Sequence, residues 1–309
     1  MLYQTCRQLI TRSALAAWKS GAALHMPRKS LGTRQFSMGI DGYALVTGAG
    51  SGIGKACALA YAREGAAGVA FSDINVEAAI EAAKESERVA KNPRYRSLVI
   101  ETDVSDQESV DRMIDLVVQT FPRLDYAVNS AGVGVETPAE VSEASIREFE
   151  RFLKVNVTGT LLAVRAQSRV MKRQEPLNHG TDSLRTLGRG VITNMGSGNS
   201  YVATPHIVQY TASKHAVLGI TRNAALDNAP YGIRVNCLCP SWVKGPMIDR
   251  AIAGNPSLAD AIKRAVPMGR IAQPDEISDV VMFLSSPRSS YVTGAGWIVD
   301  GGATLQMHT

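Results

Sequence analysis

The stretch Thr47-Gly48-Ala49-Gly50-Ser51-Gly52-Ile53-Gly54 decides the fold. It follows the apolar run 43–47 (YALVT), which is typical of a buried strand, and leads into a helical pattern over 53–64. Glycines between a strand and a helix permit a tight turn and a close approach to a pyrophosphate, which the N–H groups of the helix start can bind. Glycines also serve as caps and turns, but this placement favours a dinucleotide site at Gly48, Ser51, Gly52, Ile53 and Gly54.

The rest of the chain from residue 41 repeats this alternation of short apolar runs and longer helical patterns. Further strands are predicted at 68–72, 97–101, 124–128, 190–194, 233–238 and 296–299, and helices at 53–64, 76–91, 106–120, 143–172, 207–228 and 274–285. Parallel strands joined by helices form right-handed crossovers with helices on both faces of the sheet. We therefore expect one α/β domain over 41–309, a doubly wound Rossmann-type parallel sheet.

Two segments interrupt the alternation. Residues 173–190 are polar and contain glycine, which indicates a surface excursion between a helix and a strand. Residues 241–270 are long for a connection and carry their own apolar helical pattern, which is typical of an active-site lid.

The charge of the 309-residue chain is unevenly distributed. The chain has 33 Lys+Arg against 28 Asp+Glu, a net of +5, yet residues 1–40 hold six basic residues and no acidic one. The remainder, 41–309, therefore has a net charge of −1, which argues against a nucleic-acid partner. Four scattered cysteines, including a Cys237-x-Cys239 pair in an apolar run, suit core positions in a reduced compartment and predict no metal site. The sequence contains no charge-free apolar run of 18 residues, so no membrane-spanning helix is predicted.

The basic leader 1–40 has the composition of a mitochondrial presequence. It is free of acid, contains Ser and Thr, and places Leu2, Leu9 and Ile10 on one helical side. Arg34-Gln35-Phe36-Ser37 also resembles a matrix-peptidase cleavage site. Two alternatives remain: a start-site artefact with Met38 as the first residue, or a disordered extension of a cytoplasmic protein.

Polar residues follow the second, third and fourth predicted strands. Asp73 stands 19 residues after Gly54, where a carboxylate can bind both adenosine ribose hydroxyls and repel a 2′-phosphate, which favours NAD over NADP. Helix capping explains Asp73 almost as well, and Lys55 is a nearby cation that favours NADP. Asp103-Val104 and Asn129 lie at the same carboxyl edge, where Asp103 would cradle adenine and Asn129 brace the central strands, or both would be turn residues.

Tyr210 and Lys214 are four residues apart in a helical pattern and so share one face. A free tyrosine titrates at about pH 10, and an adjacent ammonium favours the phenolate form. A Tyr-x-x-x-Lys pattern is common by itself. Ser197, thirteen residues upstream of Tyr210 and just past a predicted strand, brings a hydroxyl to the same edge of the sheet and gives the pattern its meaning.

With these motifs in place, the chain resembles the short-chain dehydrogenase/reductase family with a T-G-x-x-x-G-x-G loop. The resemblance covers nearly all of 41–309. It rests on the glycine loop and on the motifs Asp103-Val104, Asn129-Ser130-Ala131-Gly132, Asn156 in KVNVTG, Ser197, Tyr210 to Lys214, Pro240-Ser241, Thr293-Gly294 and Asp300-Gly301-Gly302. The region 190–216 resembles fungal members that act in secondary metabolism.

The resemblance implies an oxidoreductase that interconverts a ketone and a secondary alcohol with NAD or NADP. Tyr210 would be the general acid or base, and Ser197 would hydrogen-bond the reacting oxygen. Lys214 would assist Tyr210 and hold the nicotinamide ribose, while Asn156 would position a water that relays protons. Val243 would contact the nicotinamide through its backbone. Family members are commonly homotetramers built on helices such as 143–172 and 207–228.

Three departures from the family pattern bear on the site. Ser130 replaces the usual second Asn, and Gly196 replaces the commoner first Ser of a Ser-Ser pair. Gly245 stands where a Thr usually holds the nicotinamide carboxamide. A contrasting possibility is a regulator that senses the NAD/NADH ratio without turnover, although such proteins tend to lose the Tyr or Lys present here.

The expected pocket is mostly apolar. Its predicted lining is 133–135, 198–202, His206 and the 241–270 lid, with His206 read as a loop residue and not a catalyst. Such a lining suits a medium-sized, largely neutral ketone or alcohol.

Overall fold

A seven-stranded parallel sheet forms the centre of the computed structural model, which describes residues 38–134, 137–178 and 186–305. The strands lie in the order β3-β2-β1-β4-β7-β8-β9. Their bounds are β1 Tyr43–Thr47, β2 Gly68–Asp73, β3 Arg96–Glu101, β4 Tyr126–Asn129, β7 Gly190–Met195, β8 Ile233–Pro240 and β9 Gly296–Val299. Every neighbouring pair is parallel, which confirms the predicted doubly wound fold.

Helices connect these strands, and several of them begin at a side-chain cap. Their bounds are α1 Gly52–Glu64, α2 Val76–Val89, α3 Gln107–Thr120, α4 Ile146–Phe152, α5 Gly159–Met171, α6 Val208–Asn228, α7 Pro246–Gly254, α8 Ser257–Ala265 and α9 Pro274–Ser285. Asn75 caps α2 and Asp106 caps α3, each by accepting a hydrogen bond from a first-turn N–H group.

Two apolar layers sandwich the sheet. One packs α1, α2 and α9 against residues such as Ala44 and Val46, and the other packs α3, α5 and α6 against residues such as Leu45. Because successive strand side chains point to opposite faces, a strand covered on both sides must be apolar throughout. This explains the unbroken apolar runs in the sequence.

The structure differs from the sequence prediction at three places. The single helix expected over 143–172 consists of α4, a π-helical segment Leu153–Thr158 and α5. The surface excursion contains a short antiparallel pair, β5 Leu177–Asn178 and β6 Thr186–Gly188. The segment 241–270 contains two helices, α7 and α8, and Ile262 of α8 is buried. Apolar periodicity does not distinguish α from π hydrogen bonding, nor does it reveal two-residue strands.

The proposed presequence in residues 1–40 falls almost entirely on 1–37, outside the part of the chain that the structure describes. Within the described ranges, no helix is long and apolar enough to cross a membrane.

Candidate active site

The glycine loop after β1 has a backbone that only glycine accommodates at its key positions. Gly48 and Gly52 have φ values of 69° and 51°, in the left-handed region. A Cβ on Gly54 would lie 2.0 Å from the Gly48 carbonyl oxygen, and one on Gly48 would lie 2.8 Å from the Ala131 nitrogen. The start of α1 is therefore packed against the loop, and the loop is packed against the segment that follows β4.

Asp73 at the end of β2 belongs to this loop and does not cap the next helix. Its Oδ2 accepts a hydrogen bond from Gly50 N at 2.8 Å and its Oδ1 accepts one from Asn75 N at 2.9 Å. Capping of α2 falls to Asn75 instead. Lys55, the cation that would favour a 2′-phosphate, forms an ion pair with Glu85 at 2.8 Å.

Asp103 and Val104 form the turn after β3. Asp103 Oδ1 accepts a hydrogen bond from Ser105 N at 2.8 Å, and Asp103 N donates one to Ser109 Oγ at 3.1 Å. Val104 is buried and packs against Gly159: a Cβ added to Gly159 would lie 3.0 Å from Val104 Cγ2. Asp103 and Val104 are therefore turn residues, and they also lie at the carboxyl edge of the sheet.

Asn129 at the end of β4 directs its side chain into the protein. Its Nδ2 donates to Gln167 Oε1 at 3.0 Å and to Asn194 Oδ1 at 2.9 Å, and its Oδ1 accepts from Gln167 Nε2 at 2.7 Å. Asn194 Nδ2 continues the chain to Thr221 Oγ1 at 3.0 Å. This buried amide network braces β4 against β7, α5 and α6, so any cofactor contact of Asn129 is left to its backbone.

Asn156 lies in the π-helical segment and binds two neighbouring elements. Its Oδ1 accepts from Val133 N at 2.8 Å and its Nδ2 donates to Val133 O at 3.2 Å and to Ser213 Oγ at 3.2 Å. Ser213 Oγ donates in turn to the carbonyl of Tyr210 at 2.8 Å. Asn156 therefore links the loop after β4 to the helix that carries Tyr210.

Ser197 follows β7 and is 7 % exposed. Its hydroxyl accepts a hydrogen bond from Asn199 N at 3.2 Å, which opens a short 3₁₀ turn over Gly198–Ser200. A serine hydroxyl that accepts a backbone N–H still has its own hydrogen to donate.

Tyr210 and Lys214 lie one turn apart in α6, as their spacing predicts. Lys214 Nζ donates to Met195 O at 2.8 Å, which ties α6 to the end of β7 two residues before Ser197. The same ammonium lies 5.6 Å from the centre of the Tyr210 ring, and Phe152 packs edge-on against that ring at 6.2 Å between centroids. Lys214 is buried except for 8 % of its surface, although Tyr210 is only half-buried.

The segment after β8 returns to the glycine loop. Val243 is half-buried and forms a parallel β-bridge with Ala272. Gly245 has a φ of 153°, and a Cβ added to it would lie 3.4 Å from Gly52 Cα. In α7, Met247 packs on Gly134: a Cβ added to Gly134 would lie 2.6 Å from Met247 Cγ. The predicted lid thus contacts the loop after β4. The departure at Gly245 allows a backbone conformation that a threonine would adopt only with strain.

Two further predicted features have clear positions. His206 lies on an exposed turn with a φ of 66°, and its carbonyl accepts from Ala139 N at 2.9 Å. Of the pocket segment 133–135, Val135 lies outside the described residues.

Cys237 and Cys239 are fully buried with their sulfurs 3.7 Å apart, and their mutual hydrogen bond together with burial raises the pKa of Cys237.

Sequence reasoning missed the role of the residues that connect these groups, namely Gln167, Ser200, Ser213 and Thr221. The sequence predicts Ser200 only as part of the pocket lining 198–202, whereas its side chain is buried and bonds to the backbone of Ser197 and Lys214. Each is a polar side chain inside a helix or turn, and each is buried. A polar residue on the apolar face of a predicted helix is the signal that finds Gln167 and Thr221.

Comparison with known proteins agrees with this geometry. Residues 48–304 match the family described as enoyl-(acyl carrier protein) reductase. The chain is 56% identical over 272 residues to "Short-chain dehydrogenase anuF" of Penicillium roqueforti, spanning 87% of this chain and 98% of that protein. It is 52% identical to "Short-chain dehydrogenase srdC" of Neurospora crassa, spanning 88% and 100%.

A solved structure agrees as well. The gluconate 5-dehydrogenase from Burkholderia cenocepacia, crystallised with NADP and tartrate, aligns with a TM-score of 0.75 at 30% identity, covering 88% of this chain and 98% of that one. The protein belongs to the short-chain dehydrogenase/reductase family and is an oxidoreductase that acts on CH–OH groups.

Proposed function

We propose that the protein interconverts a secondary alcohol and a ketone with NAD, using Tyr210 as the general acid and base. The observation that carries this proposal is the convergence of three elements at one end of the sheet. Asn156 bonds to the loop after β4 and, through Ser213, to the Tyr210 carbonyl, while Lys214 bonds to the end of β7 beside Ser197. The hydroxyls and the ammonium needed for proton transfer are thereby attached to rigid strands and helices.

The residues divide the chemistry between binding the oxygen and moving the proton. Ser197 donates its hydroxyl hydrogen to the reacting oxygen, and Tyr210 gives or takes the proton. Lys214 Nζ lies 5.6 Å from the centre of the Tyr210 ring, and it has two N–H donors beyond the one bonded to Met195 O. Asn156 would position the water that relays protons from Lys214 to solvent.

Tyr210→Phe tests the assignment. With a panel of cyclic ketones and alcohols and the cofactor absorbance at 340 nm, we expect turnover to fall by about 100-fold or more, since general acid–base catalysis contributes about 10²–10⁴-fold. Tyr231→Phe is a matched control, because Tyr231 also lies beside a lysine, with Lys172 Nζ 4.2 Å from its ring centre. Tyr231 lies beyond the C-terminal end of α6, whereas Tyr210 lies in the first turn of that helix. Near-normal turnover of Tyr210→Phe would overturn the proposal.

The glycine loop suits a dinucleotide, and we propose NAD as the preferred one. Gly52 has a positive φ and open space where a Cβ would lie, which fits a phosphate group held close to the backbone, and Gly54 lets α1 pack closely on the loop. Asp73, anchored by Gly50 N, presents a carboxylate toward the ribose position, and Lys55 is occupied by Glu85. The other residues that we propose to contact the cofactor lie in the glycine loop, at the ends of β3 and β4, in α6 and after β8. They are Gly48, Ser51, Gly52, Ile53, Gly54, Asp103, Val104, Asn129, Tyr210, Lys214 and Val243. When bound, the nicotinamide accepts or supplies the hydride.

Asp73→Ala tests the cofactor preference. The ratio of kcat/KM for NAD to that for NADP should fall by about 10-fold or more, because the variant no longer repels a 2′-phosphate. An unchanged ratio would contradict the preference.

The substrate proposal is a medium-sized, largely neutral ketone or alcohol, in keeping with the apolar Met247 and Val133-Gly134 beside the site. The resemblance of the region 190–216 to fungal family members supports a role in secondary metabolism. Because the matched family is described by an enoyl reductase, the panel also includes an enoyl thioester. Tight NAD binding without turnover of any compound would favour the NAD/NADH-sensing alternative.

Two properties of the whole protein complete the proposal. We infer a homotetramer, packed through the α4–α5 and α6 regions, which light scattering measures directly. We also infer mitochondrial import by residues 1–40, which a fluorescent protein fused to that segment tests; a diffuse cytosolic signal would contradict it. Without import the location would be cytoplasmic.

A further inference from the structure

We propose that Ser200 is a positioning residue for this reaction, one that holds the Ser197 turn against the helix carrying Tyr210 and Lys214. The inference rests on the proposed function, since it takes Ser197 and Tyr210 as the reacting pair. Ser200 touches neither substrate nor cofactor in this scheme. It acts through the backbone of the residues that do.

One hydroxyl joins the two catalytic elements. Ser200 Oγ accepts a hydrogen bond from Ser197 N at 3.2 Å and donates one to Lys214 O at 2.8 Å. Ser200 is 3 % exposed, so water does not compete for these two bonds. Ser197 and α6 are thereby held in register by a side chain that carries no charge and has no role in proton transfer.

The other links between the turn and α6 are less suited to this task. Lys214 Nζ reaches Met195 O, but the same ammonium must also serve Tyr210 and the ribose. Asn199 Nδ2 reaches Thr211 Oγ1 at a long 3.3 Å and also donates to Thr204 at an exposed position. Ser200 therefore provides the buried link that is independent of the cofactor.

Gly196 provides the space that this arrangement needs. A Cβ on Gly196 would lie 2.7 Å from Cys237 Sγ, 2.8 Å from Cys239 Sγ and 2.9 Å from Ser200 Oγ. All three distances are shorter than ordinary contacts, and both thiols are fully buried. The glycine that departs from the usual Ser-Ser pair thus has a physical reason: the hydroxyl behind Ser197 comes from Ser200, and the thiols fill the space beneath.

The perturbation follows from these contacts. Ser200→Ala leaves the Ser197 N–H group buried without its acceptor and frees the turn to shift relative to α6. Because a misplacement of about 1 Å costs about 10²-fold in rate, we expect kcat to fall by about 10- to 100-fold. The KM for NADH should change by less than about twofold, since the glycine loop is untouched.

The experiment uses the full chain, NADH and the panel ketone that the wild type reduces fastest. Ser197→Ala, Ser200→Ala and the double variant are compared in kcat and in the pH profile of kcat. If Ser200 acts through Ser197, the double variant should be no slower than Ser197→Ala, since residues that act as a unit are not additive. Multiplying losses in the double variant, or an unchanged kcat for Ser200→Ala, would overturn the inference.

Two more variants separate positioning from folding. Ser86→Ala removes a comparably buried hydroxyl on α2 that accepts from Tyr95 OH and donates to Ala83 O, and it should lower the melting temperature similarly with kcat unchanged. Gly196→Ala removes no polar group but displaces Ser200 Oγ, so it should reproduce the slower kcat. If Gly196→Ala turns over normally, the inference fails.

The same measurements distinguish this inference from the proposed function. If Ser197→Ala and Tyr210→Phe both keep full turnover, the proposed function fails. If both are slow while Ser200→Ala is as fast as wild type, only the positioning role of Ser200 fails.

Discussion

Replacing Asn129 by alanine tests whether the amide network beneath the site stabilises the domain. The Asn129 side chain makes three hydrogen bonds, two with Gln167 and one with Asn194. All three residues are buried, with Gln167 and Asn194 fully so. The substitution therefore leaves three buried polar groups without these partners, namely Gln167 Oε1, Gln167 Nε2 and Asn194 Oδ1.

The magnitude follows from the number of unpaired groups. A buried polar group deprived of its partner costs about 1–3 kcal/mol, so three groups imply a loss of about 3–9 kcal/mol in the free energy of unfolding. That is a large part of the 5–15 kcal/mol or so that stabilises a typical domain. The double variant Asn129→Leu/Gln167→Leu removes both partners and leaves only Asn194 Oδ1 unpaired. Because two fewer buried groups are unpaired, we expect it to be about 2–6 kcal/mol more stable than Asn129→Ala.

Urea unfolding followed by far-UV circular dichroism measures each loss at one protein concentration. Asn223→Ala is the surface control, because Asn223 makes an exposed hydrogen bond to Asp227, and it should cost less than about 0.5 kcal/mol. A loss below about 1 kcal/mol for Asn129→Ala would refute the reasoning. So would a double variant that is less stable than Asn129→Ala, since the unpaired-group argument requires the opposite order.

Three further predictions concern the loop, the lid and the acid range. Gly54→Ala should weaken NADH binding, measured by fluorescence titration, by about 10-fold or more, because its Cβ would lie 2.0 Å from a loop carbonyl; unchanged affinity would contradict the close packing of loop and helix. Met247→Ala should raise the KM of the ketone about 5- to 30-fold with little change in the KM of NADH, as expected for about 1–2 kcal/mol of lost apolar contact. Glu276 bonds bidentately to Arg270, which together with a bond from Gln273 N lowers the pKa of Glu276 to about 2. A folded-state pKa below the ordinary 4.5 gives stability above that pH and loses it as the pH falls toward 2, so the difference in Tm between wild type and Glu276→Gln should narrow below about pH 4.5. A difference that widens on acidification would refute this assignment.

Most of the fold and the identity of the central motifs could be read from the sequence. Strands β1, β2 and β7 lie where the apolar runs predict them, because a strand buried on both faces leaves a continuous apolar signal. The edge strand β9 also lies where it is predicted, although none of its residues is fully buried. The glycine loop is equally legible, since its positive φ values exclude other residues. Each of these signals is local to a few residues and so survives without tertiary information.

The internal supports of the site could not be read in the same way. Asn156 reaches Val133 and Ser213 from a π-helical segment, and the bonds join residues 23 and 57 positions apart. Helical periodicity predicts that a helix covers this region but not that its hydrogen-bond ladder changes at Asn156. Ser200 is predicted only as part of the pocket lining, because its bond to the Lys214 carbonyl at 2.8 Å joins residues 14 positions apart that the fold brings together.

By itself the sequence determined the parallel α/β architecture, the glycine loop and the chemical types available at the carboxyl edge of the sheet. Only the tertiary structure decided how those groups are supported: Asn129 turns inward to Gln167 and Asn194, Asp73 binds the glycine loop and leaves capping to Asn75, and Lys55 pairs with Glu85. The physical reason is that backbone conformation is limited by local sterics and by burial patterns of short period. The partner of a buried polar group is set by the strand order and helix packing, which bring together residues that lie far apart in the chain.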